Sequence, residues 1–277
     1  MYKDLLVAID ASDANAKRVG YAIRLAQRFD AHLTALYLIP HYSPPASVGL
    51  FMAPDISANL ERYEKEQADA AIAAFEQTAG REGVVYDTRI DRGQHDELAH
   101  LLSVHGRYAD AVIIGQPADD QTGIIMDTGD VVLASGAPVI VVPYIDAPAT
   151  TAERVMVAWN ASRESARAVR DAMPLLEKAT AVDVVCCRPA PSKSGHGDMP
   201  GADIALHLAR HDIQVEVEII ESKEIDVGNA LLSHVADRGS DLLVMGGYGH
   251  SRLREFVLGG ATRTILQSMT VPVLMAH

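Results

Sequence analysis

Residues 5–12 read LLVAIDAS and residues 155–162 read VMVAWNAS. Each is an apolar run that ends in a polar residue, Asp10 or Asn160, followed by Ala-Ser. At this offset of 150, Val7, Ala8, Ala11, Ser12, Ala16, Val19 and Ala22 meet identical residues in the second half. Matching also returns at the far ends: DAVIIG (110–115) with DLLVMG (241–246), and APVIVVP (137–143) with VPVLMAH (271–277). Similarity at the start and end of each half is the mark of a duplicated unit. The boundary falls near Ile145–Ala152, a Pro/Thr/Ala stretch suited to a linker, which gives expected domains of 1–147 and 152–277.

Within each unit apolar runs alternate with helical periodicity. The first unit predicts strands at 4–10, 32–39, 84–91, 110–115 and 138–142, with helices near 13–28, 56–79 and 95–105. Leu60, Tyr63, Ala71, Ala74 and Phe75 form the expected apolar stripe of the long helix. The second unit repeats the pattern, with strands near 154–160, 181–187, 213–220, 241–246 and 272–276. Strand–helix alternation implies an α/β fold, two repeated parallel five-stranded sheets with helices on both faces. LLVAI, VMVAW, DVVCC and LLVM are continuous apolar runs, as interior parallel strands require. IQVEVEII (213–220) alternates instead, which puts the third strand at an edge. An order of 3-2-1-4-5 then sets the topological switch between strands one and four, where open sheets bind ligands. The last strands, VIVVP and VPVLM, are too apolar for free edges. They are expected to pair with each other in an intramolecular pseudo-dimer, with a homodimer of whole chains also open.

Composition narrows the function. The chain has 277 residues and a formal net charge of −13, which argues against a nucleic-acid or anionic-membrane binder, since both need a basic face. No apolar stretch approaches the ~20 residues of a membrane span. The N-terminus carries Asp4 and runs straight into a strand, unlike a secretory signal. Cys186 and Cys187 are sequence neighbours, which rarely bridge, so a reducing cytoplasm is expected.

The chemistry concentrates after the fourth strand of the second unit, in GGYGHSRLREFVLGGATRTIL (246–266). Gly246 and Gly249 open a loop, nine residues follow, and Gly259, Gly260, Ala261 and Thr262 begin the last helix. Glycines let backbone approach a ligand closely, and a helix start offers unpaired N–H groups to phosphate. This arrangement resembles the universal stress protein family in its tandem form. The resemblance covers the whole chain through the repeat, the βα order and the G-x2-G-x9-G spacing. It implies an adenine-nucleotide alpha-hydrolase-like fold, and binding of ATP, with or without magnesium, in the second unit. It also implies regulation under stress, with at most slow hydrolysis. By the same resemblance Gly246 and Gly249 lie beside ribose and phosphates, and Gly259, Gly260, Ala261 and Thr262 face phosphate. Asn160, with Ala158 and Trp159 before it, lies near adenine and ribose, and Cys187 lends backbone to adenine. His250 and Ser251 stand beside the phosphate position.

Two positions depart from the family pattern: Gly260 replaces a Ser or Thr, and Asn160 replaces an Asp. The alternative is accordingly a nucleotide-free interaction protein with decayed sites. The first unit keeps Asp10 but lacks the glycine spacing, and Asp119, Asp120, Asp127 and Asp130 would repel phosphate, so only the second site is expected to function. His207 and His211 lie at i and i+4 without a third ligand, so no metal is assigned. Tyr21, Arg24 and Arg28 have ordinary surface spacing. No catalytic set can be assembled.

Overall fold

The computed structural model describes residues 1–41, 54–117, 126–145, 149–189, 196–221, 224–248 and 260–277. Its first unit contains β1 (Asp4–Ile9), α1 (Asn15–Phe29), β2 (His32–His41), α2 (Pro54–Arg81), β3 (Tyr86–Gln94), a 3₁₀ turn (His95–Glu97), α3 (Leu98–Gly106), β4 (Ala111–Gly115), α4 (Thr128–Ala134) and β5 (Val139–Val142). The second contains β6 (Arg154–Ala158), α5 (Arg163–Leu176), β7 (Ala181–Cys187), α6 (Ala202–Ala209), β8 (Val215–Ile220), α7 (Val227–Arg238), β9 (Leu242–Gly246), α8 (Gly260–Ser268) and β10 (Val273–Ala276).

Both units have the order 3-2-1-4-5, but they do not form two separate sheets. One ten-stranded sheet runs β3-β2-β1-β4-β5-β10-β9-β6-β7-β8. Pairs within a unit are parallel; β5 and β10 meet antiparallel, with Val141 opposite Val273, Ile140 opposite Leu274 and Val139 opposite Met275. The two last strands therefore bury each other's edges, as their apolar sequences demand. β3 and β8 are the outer edges, and Val217 and Ile219 of the alternating strand are exposed.

Period-two alternation divides the core into two layers. Leu5, Val7 and Ile9 of β1 face the layer that α1, α2, α5 and α6 cover, while Leu6 and Ala8 face α3, α4, α7 and α8. Two aspartates staple the strand starts. Asp110 accepts from the Lys3 and Asp4 amides, and Asp241 accepts from those of Glu153 and Arg154 at 3.0 and 2.8 Å.

Two sequence expectations need correction. The buried stripe of α2 is Ala68, Ala71, Phe75 and Ala79, whereas Leu60, Tyr63 and Ala74 are exposed. At ~1.5 Å per residue a 28-residue helix outruns the strands beneath it, so only its C-terminal half meets the sheet. Nor are Tyr21, Arg24 and Arg28 surface residues of a free helix. Tyr21 is fully buried, Arg24 donates to Thr151, and Arg28 donates to the carbonyls of Ala152 and Lys178. Lys178, the counterpart of Arg28 at the 150 offset, donates back to the Arg28 carbonyl at 2.6 Å. The cause is the pseudo-twofold: α1 lies against the other unit.

Leu274→Asp puts a carboxylate in the closed seam and is expected to cost at least ~3 kcal/mol by urea denaturation. Val217→Asp on the exposed outer edge is expected to cost under ~1 kcal/mol. Equal losses would contradict the central role of the seam.

Candidate functional site

Of the candidate residues of the second unit, Ala158, Trp159, Asn160, Cys187 and Gly246 lie at or just beyond the C-terminal ends of β6, β7 and β9. β6 and β9 are neighbours, with Ala158 opposite Met245, and from them the chain leaves in opposite directions across the sheet. This is the topological switch. Trp159 donates its amide to the Val185 carbonyl at 2.9 Å and packs partly against the core. Beyond it Asn160 is exposed, and its side-chain oxygen accepts from the Ser162 amide at 3.1 Å. Ala161 takes φ 57°, and Ser162 caps α5 by accepting from the Ser165 amide at 3.1 Å. Cys187 is half-buried, and burial raises its thiol pKa against the opposing effect of Arg188. Cys186 is fully buried and pushed up to about 11, so both cysteines remain thiols at neutral pH.

Gly246 ends β9 against the first turn of α5. A Cβ there would lie 2.5 Å from the Ser165 nitrogen and 2.9 Å from the Glu164 Cβ. Helix docking thus requires this glycine whatever the ligand. Glu164 is 7% exposed. Burial opposes its ionisation, but its own amide, Arg163, Ser162 and His277 outweigh that and hold the carboxyl below its ordinary value. Tyr248 takes φ 59° and its ring reaches Gly129 at the start of α4, so the loop's entrance rests on the first unit.

At the start of α8, Gly260 is exposed, and among the described residues no atom lies within 4 Å of where its Cβ would stand. Ala261 is half-buried, while Thr262 is 5% exposed and turns into the protein. Gly249, His250, Ser251 and Gly259 lie outside the described residues, as do Asp119 and Asp120.

The same region of the first unit is built differently. Asp10 accepts from the Ser12 amide and hydroxyl at 2.9 and 2.6 Å, the same turn that Asn160 makes with Ser162. Asp10, however, is 9% exposed and lies 2.9 Å from the buried guanidinium of Arg18. Burial works against ionisation, but Arg18 and Ser12 prevail and lower the Asp10 pKa. Arg18 also lies over the end of β4, where a Cβ on Gly115 would overlap its Nη1. Position 168, its counterpart, is alanine. Asp127 caps α4, accepting from the Gly129 amide at 2.6 Å and weakly from Asp130 at 3.4 Å. The sequence alone points to repulsion of phosphate by aspartates here.

His207 and His211 are exposed, with ring centroids 5.0 Å apart. Among the described residues, the one group with metal-ligand proximity is Asp183, Glu216 and Glu218, and Arg238 occupies it. No helix among those residues is long and apolar enough to cross a membrane.

The model of the universal stress protein family matches residues 1–143 and again 151–277. The chain belongs to that family. A tandem-length relative, universal stress protein Slr1230 of Synechocystis, is 22% identical over 98% of this chain and 99% of its own. A universal stress protein structure from Archaeoglobus fulgidus superposes with a TM-score of 0.73 at 17% identity, covering 98% of this chain and 97% of that one. A putative universal stress protein from Pseudomonas aeruginosa gives 0.56 at 14% identity, with coverage of 99% and 93%. These matches establish a double universal stress fold.

Arg18→Ala strands the Asp10 carboxylate and is expected to destabilise the protein by about 3 kcal/mol or more at pH 7. Because the folded-state pKa of Asp10 is depressed, its contribution is present above the ordinary value of 3.8 and is lost as pH falls through the folded value. The penalty should therefore shrink on acidification. A pH-independent difference between wild type and variant in denaturation from pH 7 to 3 would contradict this.

Proposed function

We propose that this tandem universal stress protein binds one adenine nucleotide, ATP, in a second domain spanning 152–277, and that domain 1–147 serves as a packing partner. The observation that carries the proposal is the contrast between the two helix starts. The α4 amides are capped by Asp127, and the cleft beside them is plugged by Arg18 and Asp10. Gly260 instead begins α8 exposed, with no described residue over its Cα, a place where backbone N–H groups and the helix dipole suit phosphate. In this reading Ala158, Trp159 and Asn160 at the end of β6, with Cys187, hold base and ribose. Gly246, Gly249, His250, Ser251, Gly259, Gly260 and Ala261 surround the phosphates, and Thr262 supports the turn from within. Magnesium belongs to the proposal because Glu164 adjoins Gly246 through its backbone and Cβ, and a divalent cation offsets the repulsion between phosphate and an acidic residue in that turn.

The role is regulatory: bound nucleotide at the 247–260 segment changes a surface offered to partners. The second reading is a nucleotide-free interaction protein. It is favoured by Gly246, whose missing Cβ the docking of α5 already explains.

Titration calorimetry with ATP and magnesium should give a stoichiometry near one, and Gly249→Val should abolish binding by filling the ligand's space. Gly260→Ser should tighten binding about fivefold by adding a hydroxyl donor worth roughly 1 kcal/mol, with an unchanged melting temperature, since no described atom lies within 4 Å of the added Cβ. Two equivalent sites would overturn the one-domain proposal, and no detectable ATP binding would put the interaction reading ahead.

A further inference from the structure

The opposite end of the first unit carries a cavity of about 330 Å³ on the α3 face of the sheet. Its floor is polar: Asp4 on β1, His32 and Thr34 on β2, Asp87 and Arg89 on β3. His105, Tyr108 and Ala109, from the end of α3 and the turn after it, form the rim.

The duplicated unit shows what this place accepts. Strand pairing puts Thr34 opposite Asp87 in one unit and Asp183 opposite Glu216 in the other. Two residues further along, Arg89 corresponds to Glu218. In the second unit the space above these residues holds the guanidinium of Arg238, which lies 2.7 Å from Asp183 and 3.2 Å from Glu218 and also bonds Glu216. His234 completes the group, 2.8 Å from Glu218. Arg238 stands four residues before β9. Four residues before β4 stands Arg107, which is exposed to solvent. The counterpart of His234 is Ser103, whose hydroxyl turns back to the Ala99 carbonyl at 2.7 Å. The second unit fills the place from its own chain; the first leaves it open.

We propose that the cavity of the first unit binds a small molecule bearing a guanidinium or primary ammonium group, in the place where the second unit lays Arg238. Charge supports a cation: the lining has two carboxylates, Asp4 and Asp87, against one permanently charged group, Arg89, with the imidazoles of His32 and His105 beside them. Asp87 uses two of its roughly four acceptor positions, taking the Thr34 hydroxyl at 2.5 Å and the Arg89 Nε at 3.0 Å. His32 Nε2 lies 3.8 Å from its Oδ1, beyond hydrogen-bond distance, and the cavity that Asp87 lines is large enough for an amine of metabolite size. Tyr108, 82% exposed at the rim, supplies an aromatic face on which a guanidinium stacks. Leu5, Leu6 and Ala109 give the walls an apolar component for the ligand's carbon chain.

The test is titration of the full-length protein with agmatine, which carries both cationic groups and no carboxylate, and with acetate as the anionic control. Saturable one-to-one binding of agmatine is expected, weakened roughly tenfold or more by Asp87→Asn, since a hydrogen-bonded charge is lost. Tyr108→Ala removes only an exposed ring and is expected to weaken binding severalfold with an unchanged melting temperature, so the outcome does not depend on Asp87→Asn folding normally. Amide chemical-shift changes should centre on Thr34, Tyr108 and Ala109. Absence of agmatine binding at millimolar concentration, tighter binding of acetate, or shifts confined to the second unit would each overturn the proposal.

Discussion

The antiparallel contact between β5 and β10 is the constraint on which the rest of the molecule depends. Each unit ends in a short strand of uninterrupted apolar residues, and such a strand at an open edge exposes both its side chains and its backbone groups. Pairing Val139–Val141 with Val273–Met275 satisfies both at once and turns two five-stranded sheets into one of ten. The pseudo-twofold that results brings α1 against the other unit, so Tyr2 donates to the Asp171 carbonyl at 2.7 Å and Arg28 and Lys178 exchange hydrogen bonds with each other's backbone. It also sends Gln116, just after β4, across to the Leu266 carbonyl on α8, while Tyr248, just after β9, reaches Gly129 on α4. The segment leaving each switch point therefore rests on its neighbour's last helix. The surroundings of each switch point are in this sense properties of the pair.

Duplication followed by divergence explains the asymmetry of the two ends of the sheet. At the C-terminal end the first unit has closed its cleft from within: Arg18 neutralises the buried Asp10 and lies over Gly115, and Asp127 takes the α4 amides. The second unit, with alanine at 168 and an exposed Asn160, lacks that plug. At the N-terminal end the situation reverses. Arg238 closes the second unit over Asp183, Glu216 and Glu218, and the first unit retains a cavity. In both places an arginine on three or fewer carboxylates does the filling, because a buried carboxylate requires a partner of opposite charge. Each half thus shows what its counterpart has lost.

Much of this was legible in the chain itself. The 150-residue repeat, the runs LLVAI and VMVAW, the alternation of IQVEVEII and the apolar last strands determine the units, the strand order, the edges and the seam, because each is a periodicity that backbone geometry reads locally. The glycine spacing after β9 is legible in the same way, as the feature on which the proposed site rests. Tertiary structure alone decided the rest. That α2 buries Ala68, Ala71, Phe75 and Ala79 rather than Leu60 and Tyr63 depends on where the sheet ends beneath it. That Gly246 serves the docking of α5, that Arg28 faces the other unit and that Arg18 plugs a cleft depend on contacts between elements far apart in sequence. A repeat comparison shows arginine at 18 and alanine at 168, but only packing shows that the arginine side chain ends over β4, since side-chain reach across elements carries no local period.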